Sequence, residues 1–388
     1  MNFLTEKQNR EIEDYAISKN LNLIENASDE VVKLVKKEFD KKIKVLVIAG
    51  SGNNGSDAIA TAIKLINKDY KIDLYRFAEK GNESNEVYYH EYCQLKQPLR
   101  KLPKVDKYDV VIDGLFGIGL DRALQGEVLD VIKTINEQSK YTIAIDVPSG
   151  LGAFDAKIYG IAIEADKTIT FLADKQGLHT SAGLDYAGKV IVSELIKADS
   201  IKLSKSDYEV YKNKIKDINL DNILRKKKNT NKGTYGNLAI IGGSTGMNGS
   251  LQLAGTSALY SGCGKVSMIS LDSNFRADMS MPELMTKPLE NISKSLNTFS
   301  ALTIGVGFDT NTKSKQAFEQ IIDSLKQPAI FDADGLNIIA ENEEVKQKFI
   351  KLKNKVITPH PAEAARLLNC TTQEIVLPKK YKITGLRL

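Results

Sequence analysis

Apolar positions in this chain alternate between two rhythms, short unbroken runs and longer stretches with a helical period. Val45 to Ala49 is an unbroken apolar run, the pattern of a strand buried on both faces. It breaks into Gly50-Ser-Gly-Asn-Asn-Gly-Ser-Asp57 and resumes as a helical stretch from Ala58 to Ile66. The segment 71–77 alternates as a strand, Asp109–Asp113 and Tyr141–Asp146 read as buried strands, and 165–171 and 189–192 as two more. Between them, Glu83–Leu95 predicts a surface helix and Val128–Asn136 another. Residues 5–39 precede all of these with a helical period carried by Ile12, Ala16, Leu23, Ile24, Ala27, Val31 and Leu34. Asn26, among apolar neighbours there, predicts a cap or a site residue.

The rhythm fades over 200–232, which is rich in Lys and Asn, and then returns. Strands are predicted at Asn237–Ile241, Gly264–Ser270, Ala301–Ile304, Ala329–Phe331 and Val356–Ile357, with a helix from Leu251 to Tyr260. Alternating strands and helices predict an α/β fold, here two mostly parallel doubly wound sheets. The first domain is assigned to 1–202 and the second to 203–388.

Composition narrows this picture only a little. At 388 residues the chain is long enough for two cores. The net charge of +5 is spread over many lysines, so nucleic acid is not an expected partner, and the run Arg225–Lys228 reads as a solvated linker. Three separated cysteines, Cys93, Cys263 and Cys370, form no disulfide framework and suit a reducing cytoplasm. No apolar run approaches the length of a membrane span, so a cytoplasmic protein with no membrane partner is expected.

Candidate chemistry sits at the strand ends, where doubly wound sheets bind ligands. Three predicted strands of the first half end in Asn53/Asn54/Asp57, in Asp113 and in Asp146/Ser149. One strand-end Asp is usually a turn or cap; convergence of three polar ends predicts a site. The glycine turn reads either as a ligand cradle or as a plain strand-to-helix turn, and Ser56-Asp57 stands where a Walker loop needs Lys-Ser/Thr. These carboxylates and amides are hard oxygen ligands, suited to an alkali or alkaline-earth cation. In the second half, Gly242-Gly-Ser244-Thr-Gly246 fits a nucleophile elbow, with Asp334 and His360 in the chain order of an α/β-hydrolase triad. His360, between Pro359 and Pro361 at a strand end, is a candidate proton carrier, whereas His90 and His179 read as surface or capping residues.

Gly50–Asp57, Asp113-Gly-Leu-Phe-Gly-Ile-Gly119 and Asp146-Val-Pro-Ser-Gly150, preceded by Leu23–Ala27, resemble the NAD(P)HX epimerase, or YjeF N-terminal, family. Lys232–Asn237, Gly305-Val-Gly307, Phe331–Asn337 and Thr358–Leu368 resemble the ADP-dependent NAD(P)HX dehydratases. Together these ordered motifs resemble the bifunctional NAD(P)H-hydrate repair enzymes over nearly the whole chain. The resemblance implies a Rossmann-like first domain and a ribokinase-like second one, acting on NADHX and NADPHX, the cofactors hydrated at C6 of the nicotinamide ring. The first would interconvert R and S epimers, and the second would dehydrate the S form using ADP or ATP with Mg2+. A homo-oligomer is expected.

Carried over by motif, Asn54, Asp113 and Ser149 would ligate K+. Asn53, Asn54, Gly55, Ser56, Asp57, Gly117, Ile118, Gly119, Leu120, Asp121, Arg122, Ala123 and Asp146 would bind the hydrate, with Asp146 catalytic. Ser250, Gly307 and His360 match substrate positions of the dehydratase. Ser56 and Ala58 replace glycines usual in the family and are expected to tighten the pocket. The family's second domain continues past the Thr-Pro-His motif to a Gly-x-Gly-Asp anion hole, absent from this sequence. An impaired dehydratase is therefore expected. The rival readings are a ribokinase-like kinase of a small alcohol, the Ser244/Asp334/His360 hydrolase and a non-catalytic nucleotide-binding scaffold.

Overall fold

The computed structural model describes residues 3–196, 201, 203–204, 229–290, 292–372 and 375. The chain divides into two compact units, residues 1–215 and 216–388. The boundary expected at residue 202 lies outside the described residues.

The first unit opens with α1 (Glu6–Ser18) and α2 (Leu23–Glu38). It continues as β1 (Lys44–Ala49), α3 (Asn53–Ile66), β2 (Lys71–Arg76), α4 (Glu83–Leu95), β3 (Val110–Gly114), α5 (Glu127–Gln138), β4 (Thr142–Ile145), β5 (Lys167–Phe171), α6 (Gly183–Tyr186) and β6 (Lys189–Ser193). Its six strands are all parallel in the order β2-β1-β3-β4-β5-β6. Successive residues of a strand face opposite sides of the sheet, so β1 feeds two cores. Val45, Val47 and Ala49 pack with α2 and α3, while Leu46 and Ile48 pack with Val128, Ile132 and Ile135 of α5.

The second unit contains β7 (Asn237–Gly242), α7 (Asn248–Tyr260), β8 (Lys265–Ser270), β9 (Leu284–Thr286), α8 (Ile292–Ser295), β10 (Ala301–Ile304), α9 (Thr312–Ser324), β11 (Ala329–Phe331), α10 (Asp334–Glu341), α11 (Glu343–Lys351), β12 (Lys355–Ile357) and α12 (Pro361–Leu368). Its strands are again all parallel, ordered β12-β11-β10-β7-β8-β9. Ala239 and Ile241 face the α9–α11 side; Ile240 faces Leu251 of α7 and Met268. Among the described residues no helix is long and apolar enough to cross a membrane.

Three local expectations shift. The helix after β1 starts at Asn53, so the polar stretch expected as a turn is its first turn, capped by Gly52 without a side-chain bond. Asn, Ser and Asp favour helix starts, and a short polar prefix is hard to separate from the preceding loop. Asn22, rather than Asn26, caps α2 by accepting from Glu25 N–H. The short edge strand β9 was not anticipated; three residues carry too little period to detect.

Candidate functional site

The three polar strand ends of the first unit belong to adjacent strands. β1, β3 and β4 are consecutive in the sheet, and β1 and β3 flank the point where the strand order reverses. At such a point neighbouring loops part and leave a crevice above the carboxyl ends. A chain of hydrogen bonds joins the three ends. Asn54 Nδ2 donates to Phe116 O (2.8 Å), and Phe116 N–H donates to Ser149 Oγ (2.8 Å). Ser149 donates from N (2.8 Å) and Oγ (2.6 Å) to the two Asp113 oxygens, and Leu115 N–H adds a third bond (3.1 Å).

Two features here bear on whether the residues fit a cation. Asn54 is 8% exposed, and its Oδ1 is buried with no partner. An orphaned buried acceptor is costly unless something occupies it. Asp113 is fully buried, and no Lys, Arg or His pairs with it among the described residues. Burial pushes its carboxyl up to about 6, with the Ser149 hydroxyl, Ser149 N–H and Leu115 N–H opposing. Asn54, Asp113 and Ser149 therefore gather oxygen donors around an unbalanced negative charge.

Asp146 sits just past β4 with a left-handed backbone, φ 64°. Such a conformation costs non-glycine residues roughly 1–3 kcal/mol, least for Asp and Asn. It is held by Thr170 Oγ1 (3.1 Å), Phe171 N–H (3.2 Å) and the Lys175 ammonium (2.8 Å), all on Oδ1. Lys175 is 1% exposed and also donates to Thr170 Oγ1 (2.7 Å) and Phe171 O (2.9 Å). Oδ2 is the oxygen nearer Gly117. A Cβ built on Gly117 would lie 3.4 Å from Asn54 Cγ and 3.7 Å from Asp146 Oδ2. Asn54, Gly117 and Asp146 thus share one space.

The other expected substrate residues divide. Asp57 is half-buried; desolvation pushes its carboxyl well up, and the Asp146 and Glu13 carboxylates push the same way. Asn53 is exposed and accepts from Asn82 Nδ2 (2.7 Å). Gly55 packs against Gly50 O, where a Cβ would come within 2.1 Å. Ser56 donates to Gly52 O (3.2 Å), so its hydroxymethyl folds back on its own turn instead of narrowing the pocket. The Ala58 methyl faces Gly114. Of the loop after β3, Ile118 and Leu120 lean on the cores, while Gly119, Asp121, Arg122 and Ala123 are exposed.

Asp57 also predicts a pH effect on stability. A carboxyl whose folded pKa is raised contributes stability present at low pH and lost as pH rises through that value. Relative to wild type, Asp57→Asn should gain stability between pH 5 and pH 8, read from urea unfolding at both pH values. An equal difference at the two pH values would contradict it.

In the second unit, the loops after β7 and β10 meet at the corresponding reversal. Ser244 N–H donates to Gly307 O (2.7 Å), and Ser250 Oγ lies 2.2 Å from where a Gly307 Cβ would stand. Gly307 has φ 57°, so a side chain there would be strained as well as crowded. Ser250 and Gly307 are therefore in contact. His360 caps α12, accepting from Ala362 N–H at Nδ1 (3.1 Å), with Nε2 3.1 Å from Glu363. No hydrogen bond joins His360 to Ser250 or Gly307 among the described residues. The hydrolase triad is not assembled: Ser244 Oγ donates to Phe308 O, Asp334 accepts from Asp309 N–H and Asn337, and His360 is 59% exposed on its cap. A Gly-Ser-x-Gly turn satisfies the motif locally, whereas triad geometry is set by strands far apart in sequence.

One residue that anchors the first site had no place in the sequence reading: Lys175, which lies in a loop and bonds Asp146. His179, expected at the surface or on a cap, is the C-cap of the short Gln176–Leu178 helix, and its ring also pairs with Asp174 (2.7 Å) and packs on Phe3.

Two parallel α/β units, the first gathering carboxylates and buried oxygens at its strand ends, place the chain in the class of two-domain doubly wound α/β proteins. Residues 20–177 match the family described as YjeF-related protein N-terminus, and residues 238–383 match NAD(P)H-hydrate dehydratase. A bifunctional NAD(P)H-hydrate repair enzyme Nnr of Coxiella burnetii is 27% identical over 98% of this chain and 78% of its own length. An NAD(P)H-hydrate epimerase of Limosilactobacillus fermentum is 35% identical over 44% of this chain and 84% of its own. The chain belongs to the NAD(P)H-hydrate repair family, joining a YjeF-related domain to an NAD(P)H-hydrate dehydratase domain. Among solved structures, an ADP/ATP-dependent NAD(P)H-hydrate dehydratase of Bacillus subtilis, co-crystallized with ATP/Mg2+, is 25% identical with a TM-score of 0.30; 39% of this chain covers 53% of it. The yeast protein YNL200c is 17% identical, with a TM-score of 0.43 and 87% of its chain covered. Neither the kinase, the hydrolase nor the scaffold reading is favoured by these matches.

Proposed function

We propose that the first domain epimerises R- and S-NADHX and NADPHX at its β1/β3/β4 site, and that the second dehydrates the S form with ADP or ATP and Mg2+. The observation that carries the first part is the convergence of Asn54, Gly117 and Asp146 on one space, backed by the buried Asp113 and Ser149. Hydration makes C6 a hemiaminal carbon, bonded to both a hydroxyl and N1. Asp146, whose Oδ1 is anchored and whose Oδ2 faces the shared space, is the base for that hydroxyl proton. The Gly117–Ala123 loop and the Asn53–Asp57 turn form the walls against which the ring is oriented.

The orphaned Asn54 Oδ1, the uncompensated Asp113 carboxylate and the Ser149 hydroxyl fit a potassium ion, an ion bound where oxygen dipoles replace its water. When bound, the ion supplies positive field beside the reacting ring. For the second domain, support comes from its family match and from Ser250 seated against Gly307 where two glycine-rich loops meet.

The test is purified protein with R-NADHX, followed by chromatography that separates the epimers. Interconversion is expected, with at least about 10-fold more activity in potassium than in choline buffer; no interconversion in potassium refutes the epimerase reading. Adding S-NADHX with ADP or ATP measures dehydration directly and decides whether that activity is impaired.

A further inference from the structure

The sequence predicts a surface helix at α4, yet the first turn of that helix is spent on the glycine turn of the first site. Asn85 is fully buried, and its Nδ2 donates to Gly50 O (3.1 Å). Asn82 N–H donates to Ser51 O (2.9 Å), and Asn82 Nδ2 donates to Asn53 Oδ1 (2.7 Å). Asn53 directly precedes Asn54, whose side chain reaches Phe116 O and the space shared with Gly117 and Asp146. Asn82 therefore acts on the same turn from outside it.

The polarity of this relay is forced from one end. A backbone N–H can only donate, and that of Asn85 donates to Asn82 Oδ1 (2.8 Å), which caps α4. With its oxygen taken by the helix, Asn82 has only its amide N–H to offer Asn53. Asn53 must answer with Oδ1, the one acceptor of its side chain, and among the described residues its own Nδ2 makes no hydrogen bond. The cap of α4 thus fixes which end of the exposed Asn53 amide is left over, and it is the donor end. Strand β2, which leads into α4, lies on one side of β1, whereas β3 and β4 lie on the other. Asn53, tied to α4, stands on the β2 flank of the site, and Asp146 on the β4 flank. A dinucleotide whose reacting ring lies at Asp146 carries its phosphate and ribose oxygens away from that point, and those oxygens are acceptors.

Resting on the epimerase reading, we propose that Asn82 is a positioning residue for substrate binding. It holds Asn53 with an N–H outward, so that Asn53 donates to an acceptor oxygen on the phosphate–ribose portion of the hydrate. No bond of the substrate changes there, so the contact serves affinity and leaves the chemical step alone.

The test measures kcat and KM of epimerisation for Asn82→Ser, Asn82→Asp, Asn53→Ala and the double variant Asn53→Ala/Asn82→Asp, with thermal melts as the fold control. Ser and Asp both keep an oxygen for the Asn85 N–H, so α4 stays capped. Asn82→Asp offers Asn53 only acceptors, which turns the Asn53 amide over and presents its oxygen to the substrate. KM is expected to rise about 10-fold, with kcat within about 3-fold. Asn82→Ser is too short to reach Asn53 and leaves that amide free to turn, so KM should rise about 3-fold. In the Asn53→Ala background, Asn82→Asp should change KM by less than about 2-fold, because its effect passes through Asn53. Wild-type KM in Asn82→Asp overturns the proposal. So does a full KM rise in the Asn53→Ala background, which would make the added charge the cause. Should Asn82→Asp fail to fold, wild-type KM in Asn82→Ser overturns it equally. A wild-type enzyme that does not interconvert the epimers refutes the functional reading itself, a distinguishable failure.

Discussion

Replacing Asp146 with Asn is expected to lower epimerase kcat about 1000-fold while leaving KM nearly unchanged. The amide cannot accept the hydroxyl proton, yet it can occupy the same geometry. Asn tolerates the left-handed backbone at φ 64° about as well as Asp, so the turn after β4 should persist. Its carbonyl can still accept from Thr170 and Phe171 N–H. Lys175 keeps Thr170 Oγ1 and Phe171 O as acceptors, so its charge is not stranded. A folded Asp146→Asn variant with wild-type epimerisation would remove Asp146 from the chemistry.

Lys175→Met should be the most destabilising single change at this site, by about 3 kcal/mol. Removing one partner of a buried pair strands the other, whereas replacing both can be neutral. Here the ammonium joins Asp146 Oδ1, Thr170 Oγ1 and Phe171 O within an environment that leaves Lys175 only 1% exposed. Met fills similar volume but bonds none of them. Arginine should not rescue, because its planar fork needs more room than a point ammonium. Urea unfolding of the wild type and both variants checks this; Lys175→Met with unaltered stability would show that the ion pair is not the anchor of Asp146.

These two residues show how unevenly the site could be read. Asp146 stands at the end of a buried apolar strand and before Pro148-Ser-Gly150, so it was visible as a polar strand end. Lys175 is one lysine among many, in a loop, and its partner lies 29 residues back. Ser56 was legible as a residue of the turn but not as a hydroxyl spent on its own helix. His360 looked like a freed proton carrier between two prolines; its ring is engaged at a helix cap and with Glu363.

What the sequence by itself determined is the alternation of apolar runs with helical stretches, and hence two parallel sheets with polar residues at their strand ends. That information is local, since a buried strand and an amphipathic helix each leave a period in a few neighbouring residues. Only the tertiary structure decided which strand ends are neighbours. It also decided that the first turn of α3 faces Phe116 and Gly117, and that Lys175 reaches Asp146. Those choices depend on strand order and on contacts between residues far apart in the chain, for which no local period exists. Asn54 of the Asn53–Asp57 turn accordingly meets Gly117 and Asp146 there, with Lys175 holding Asp146 from elsewhere in the fold.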